Sequence, residues 1–134
     1  MERGLTSADV KDYVKMAALA VRGLAPEVAL ELAKRLGISQ DRLSELAHIP
    51  KTTLHRRMKD HHPLAQDESE RVIRLFTLYQ KAVEVFEDED RAATWFSSHP
   101  KALGGKTPLE FMETEPGARY VEKLLGRIEH GVFS

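Results

Sequence analysis

Apolar residues in this chain recur at intervals of three and four almost from end to end, a period that builds helices and no other regular element. Across residues 66–87, Val72, Leu75, Phe76, Tyr79, Ala82, Val83 and Phe86 step in this way, so they share one side of a helix turning every 3.6 residues. No stretch alternates apolar and polar residues over strand length with β-branched enrichment. The chain is therefore expected to be all-α. Ser7 reads as the cap of a first helix reaching about Gly23, with Val10, Val14, Ala17, Ala18 and Val21 on one face. Pro26 stands where a first helical turn accepts proline, and Val28, Leu32 and Leu36 follow until Gly37. Ser39 caps a short helix over residues 40–47, and a turn at His48-Ile49-Pro50 leads into another over 51–59. Beyond the long helix, Asp88-Glu89-Asp90 opens a helix carrying Ala92, Trp95 and Phe96 that stops before Pro100. A last helix over 115–130 sets Val121, Leu124, Leu125 and Ile128 on one side. Gly126 inside it costs about 1 kcal/mol against alanine, which points to something packed close there.

At 134 residues the chain can bury a core without staples, and with no cysteine it has neither disulfides nor thiolate metal sites. No apolar run approaches the ~18 residues of a membrane span. The start, with Glu2, lacks a signal peptide's apolar middle. A cytoplasmic protein that makes no use of a membrane is expected. Charge is uneven: residues 1–65 hold 11 Lys/Arg against 8 Asp/Glu, and residues 66–134 hold 9 against 13. A basic half beside an acidic half suggests two different partners.

Gly105-Lys106-Thr107 invites a phosphate-loop reading, but the glycine such a loop needs five positions earlier is Pro100. Thr107-Pro108-Leu109-Glu110 instead has the form of a capping box with proline at the first helical position. Nor do the six histidines fall at a metal spacing, and no nucleophile motif is present. The expectation is a protein without catalytic residues or cofactor.

Residues 40–58, QDRLSELAHIPKTTLHRRM, carry a helix–turn–helix pattern. Leu43, Leu46, Ala47, Ile49 and Leu54 form the apolar grip, with Met58 also inward. Lys51, Thr52, His55, Arg56 and Lys59 fall on the opposite stripe, and Arg57 on its flank suits a DNA backbone. Arginine can bond guanine's paired acceptors, threonine can touch a thymine methyl and lysine can neutralise phosphate. A solvated flank of a helical hairpin is the blander alternative, but the turn, the inward pattern and the outward chemistry together favour DNA. His48 occupies a turn position usually given to glycine, and Pro50 stands where a serine would cap better.

From Leu36 onward the sequence resembles the Xre/MbcA/ParS antitoxins, which join an Xre-type helix–turn–helix to a toxin-binding domain. The resemblance rests on LGISQDRLSELAHIPKTTLHRRM, SERVIRL, Trp95, the Pro100 to Gly105 turn, Thr107-Pro108-Leu109, Thr114 with Gly117, and the closing RIEHGV. It implies a helix–turn–helix N-terminal half packed with a helical C-terminal toxin-binding domain: a helix-turn-helix at 26–65 and a toxin-binding part at 66–134. Residues 1–25 lie outside the resemblance, and their apolar helix is a candidate interface for oligomerisation. It further implies a RES-domain toxin that consumes NAD as partner, operator DNA as ligand, and a homo-oligomer, since a two-fold operator generally takes a dimer. The toxin contact is expected from the end of the chain: Arg127, Glu129, His130, Gly131, Val132, Phe133 and Ser134. A tail past Gly131 could also be frayed and without a role. Two rivals stand beside this reading: a stand-alone transcriptional regulator whose second half dimerises or senses a ligand, and a small helical enzyme.

Overall fold

Side-chain caps set where most helices of this protein begin. In the computed structural model, which describes residues 5–131, the Thr6 hydroxyl accepts the Asp9 N–H and the Asp9 carboxylate accepts the Thr6 N–H, each at 3.0 Å. That box starts α1, Ser7–Lys11. Asp12 then leaves the helical region, with φ −90° and ψ 92°, and its carboxylate accepts the Lys15 N–H at 3.0 Å to start α2, Tyr13–Arg22. The single first helix expected from Ser7 is thus two, because aspartate bonds backbone N–H groups outside helices better than it extends one.

The expected apolar face of that helix is also corrected. Val10 is buried, but α2 buries Met16, Leu19 and Ala20 and exposes Val14, Ala17, Ala18 and Val21. Apolar residues occupy most of its circumference, so spacing alone did not say which arc meets the core.

The next three helices follow their sequence signals closely. α3 is Glu27–Leu36 and ends at Gly37 in the left-handed region, α4 is Gln40–Ala47 with Ser39 accepting the Arg42 N–H, and α5 is Lys51–Lys59. The long α6, Gln66–Phe86, runs across the boundary between two compact units, which falls between Thr77 and Leu78; residues 60–65 form a turn inside the first unit. In that unit Val28, Leu32, Leu43, Leu54, Val72, Leu75 and Phe76 are wholly buried. The buried Ser69 hydroxyl accepts the Leu24 N–H at 2.9 Å, and Leu64 donates to the Leu24 carbonyl at 2.8 Å. These bonds fasten the α2–α3 turn to the start of α6.

The second unit holds the end of α6, α7 (Glu89–Phe96), a 3₁₀ turn (Lys101–Leu103), α8 (Pro108–Phe111) and α9 (Glu115–Glu129). Asp88 caps α7 by accepting the Arg91 N–H at 2.9 Å. Phe96 is fully buried, and Trp95, half-buried, lies edge-on to it at 5.3 Å and 5.7 Å from Phe86. Both rings serve packing. The capping box is present: the Thr107 hydroxyl accepts the Glu110 N–H at 3.1 Å, and Glu110 accepts the Thr107 N–H at 3.0 Å. The Thr107 amide and then its hydroxyl hold the Glu110 carboxyl below its usual range. A lowered carboxyl contributes stability above its unfolded value, and that contribution is lost as pH falls through the folded one. The stabilisation that this carboxylate gives the box is therefore expected to be lost in acid.

In α9, Val121, Leu124 and Leu125 are buried and Ile128 is half-buried. The glycines of this helix reverse an expectation. Around Gly126 nothing lies within 4 Å of where a Cβ would stand, whereas a Cβ at Gly117 would sit 1.9 Å from the Phe111 carbonyl oxygen. The close approach is at Gly117. Among the described residues no helix is long and apolar enough to cross a membrane.

Candidate functional site

The turn between α4 and α5 is made without glycine. His48 takes φ 54° and ψ 41°, and its N–H bonds back into α4 while Ile49 donates to Ser44 at 3.0 Å. Pro50 precedes α5 with no side-chain cap. The grip is as the spacing required: Leu43, Leu46, Ala47, Ile49 and Leu54 are buried. Met58 is only half-buried, at the end of the helix where less packs against it.

That grip leaves Lys51, Thr52, His55, Arg56 and Lys59 exposed on α5. A carboxylate faces the stripe: Asp41 of α4 lies 3.9 Å from Lys51 and 3.8 Å from His55. Both contacts are solvent-exposed and long, so they contribute little stability.

Arg57 is set apart. Its Nε lies 3.0 Å from Glu68 Oε1 and its Nη2 donates to Glu68 Oε2 at 3.4 Å, with the two side chains 19% and 11% exposed. Its Nη1 meets the Pro63 carbonyl at 3.4 Å. The guanidinium that sequence placed on a DNA backbone is engaged inside the first unit. Glu68 also accepts the Ala65 N–H at 2.8 Å, so one carboxylate both caps α6 and anchors α5.

A second anchor went unread in the sequence. Arg71 of α6 donates to the Ala47 carbonyl at 2.6 Å and the His48 carbonyl at 3.3 Å, and pairs with Asp67 at 3.4 Å. A cation on the last carbonyls of α4 meets the negative end of that helix and holds the turn that sets the angle of α5. Glu68 and Arg71 lie one helical turn apart, which is a sequence signal only once α6 is known to back the motif.

At the end of the chain, Arg127, Glu129, His130 and Gly131 are exposed, and Gly131 turns the backbone with φ 78°. Val132, Phe133 and Ser134 lie outside the described residues. The Arg127 guanidinium stands 5.8 Å from the Tyr120 ring centroid, and that ring lies 6.0 Å from Phe111. The two rings line an open groove of about 500 Å³ with Lys106, Glu110, Glu113 and Thr114. An aromatic floor edged by carboxylates can seat a mixed apolar and cationic segment.

Two family models match this chain. One, the antitoxin Xre-like helix-turn-helix domain, matches residues 15–76. The other, the antitoxin Xre/MbcA/ParS C-terminal toxin-binding domain, matches residues 81–131. The chain belongs to the Xre/MbcA/ParS antitoxin family. Within this family it is 42% identical over 87 residues to Antitoxin Xre of Yersinia enterocolitica serotype O:8 / biotype 1B, covering 64% of this chain and 59% of that protein. To Antitoxin Xre of Photorhabdus laumondii subsp. laumondii it is 44% identical over 69 residues, or 51% of this chain and 47% of that one. The match to the Prs ADP-ribosylating antitoxin of Sphingobium sp. is 25% identical over 122 residues, 84% of this chain and 77% of that protein. The chain thus spans about half of the Antitoxin Xre relatives it matches. The α5 stripe lies inside the first matched segment, and the Tyr120–Arg127 face and Gly131 lie inside the second.

Proposed function

We propose that this protein is the antitoxin of a toxin–antitoxin pair, neutralising a NAD-consuming RES-domain toxin by obstructing its active site and repressing its own operon as a dimer bound to operator DNA. The observation that carries the reading is the pairing, in one short chain, of an exposed cationic stripe on the second helix of a helix–turn–helix with a separate unit matching a toxin-binding domain. Lys51, Thr52, His55, Arg56 and Lys59 face DNA, and Arg57 holds α5 in place through Glu68. Residues 127–134 reach into the toxin, with Arg127 and Glu129 pairing charges and Phe133 entering an apolar pocket.

The DNA half makes a separable prediction. Arg56→Ala is expected to cut the preference for operator over random duplex by about 1–3 kcal/mol, as loss of a base-edge contact does. Lys59→Ala is expected to weaken all sequences alike and to flatten the salt dependence by about one counterion. Fluorescence anisotropy with operator and random duplexes across a salt series measures both. Unchanged operator preference in Arg56→Ala would remove it from the reading face. Co-expression with the neighbouring reading frame tests the toxin half: a stable complex that stops NAD loss supports it, and no association supports a stand-alone regulator.

A further inference from the structure

A carboxylate is out of place on a surface that is to meet phosphates, and Asp41 stands on one. It belongs to the first turn of α4, where Ser39 already caps the helix by accepting the Arg42 N–H at 3.0 Å. Glu45, also exposed on α4, is met from its own helix, since Arg42 donates to it at 3.1 Å. Asp41 instead reaches across to α5. One of its oxygens lies 3.9 Å from the Lys51 ammonium and the other 3.8 Å from the His55 ring. The three side chains are 57%, 67% and 60% exposed, and contacts so long and so wet contribute almost nothing to folding. Their effect is to set a negative charge among the cations of the α5 stripe.

We infer that Asp41 is a specificity-determining residue that acts by repulsion, limiting how strongly the stripe holds a phosphate backbone so that base contacts decide where the chain stays. The inference rests on the operator-DNA reading above and assigns a role to a residue outside the stripe itself. A phosphate bonded to Lys51 would stand within about 7 Å of the Asp41 carboxylate, inside the Debye length of about 8 Å at physiological salt. The same carboxylate competes with that phosphate for the ammonium. With water-like screening, a unit charge about 4 Å away is worth about fivefold in an equilibrium.

The penalty differs between the two ways of binding. On random duplex the attraction comes from phosphates, and Lys51 and protonated His55 must turn to the backbone with Asp41 beside them. On an operator, Thr52 and Arg56 take base edges in the groove. Asp41 then faces exocyclic amines and water, which a carboxylate accepts from. Repulsion aimed at the wrong complex raises specificity as surely as attraction in the right one.

Anisotropy titrations of the full chain test this, with a duplex from upstream of its own reading frame and a scrambled duplex, each across a salt series. Asp41→Asn is expected to tighten the scrambled duplex about fivefold and steepen its salt dependence by about one counterion, while tightening the upstream duplex about twofold at most. Asp41→Glu keeps the charge and is expected to behave as the wild type, and both variants keep the helical circular dichroism because the side chain faces water. Equal tightening of both duplexes would make Asp41 a general brake and overturn its part in specificity. Weaker binding of the upstream duplex alone would make it a base reader, and no change with either duplex would remove it from the interface; each overturns the repulsion. A wild type that binds neither duplex would instead overturn the operator reading on which the inference stands.

Discussion

Gly117→Ala is expected to destabilise the second unit by about 3 kcal/mol, while Gly126→Ala, in the same helix, stabilises it by up to about 1 kcal/mol. Intrinsic propensity favours alanine at both sites by roughly 0.5–1 kcal/mol. At Gly126 that preference acts alone, because nothing lies within 4 Å of the added carbon. At Gly117 the carbon would stand 1.9 Å from the Phe111 carbonyl oxygen and 2.8 Å from the Thr114 hydroxyl that caps the helix. The nearest atom is backbone, so α8 and α9 must separate, and overpacking of this sort costs about 1–3 kcal/mol or more. The penalty exceeds the propensity gain. Urea unfolding of the two variants measures the contrast, and equal shifts of the same sign would refute it.

Glu68→Ala is expected to cost about 3 kcal/mol and to abolish operator binding without touching the stripe. The substitution strips Arg57 of its counter-charge and the start of α6 of the acceptor for Ala65 N–H. Breaking a buried pair from one side costs about 3–5 kcal/mol, and the lower end applies because the Arg57 side chain is 19% exposed. Replacing both partners by methionine should recover most of the loss, since the desolvation of two charges disappears with the pair. A Glu68→Ala protein within about 0.5 kcal/mol of wild type would return Arg57 to the solvent or to DNA.

These two sites also show where sequence reading stopped. Short-range signals carried far: Ser39, the Leu43–Leu46–Leu54 spacing and the Thr107–Glu110 box each produced the element they announce, with α4 and α5 ending where expected. All of those lie within a few residues along the chain. The pairing of Arg57 with Glu68, the reach of Arg71 to the Ala47 carbonyl and the contact of Gly117 with Phe111 join separate helices, and no periodicity encodes them. Arg56 and Arg57 are identical as letters, and only the course of α6 sets Arg57 against Glu68 while Arg56 stays exposed. The arc of α2 that meets the core was illegible for a related reason, since Met16 and Val14 are equally apolar. The DNA-binding expectation for the first half came from the pattern of residues 40–58, and the toxin-binding expectation for the second came from resemblance.

We propose two separable surfaces in one chain, α5 for operator DNA and the closing segment for the toxin. The most direct test co-expresses the toxin with the wild type, Arg56→Ala, or a chain lacking residues 131–134, and follows cellular NAD alongside operator binding by each purified antitoxin. NAD is expected to be protected by Arg56→Ala but not by the truncation, while the truncation keeps operator binding and Arg56→Ala loses its preference. Full protection of NAD by the truncated chain would contradict the account.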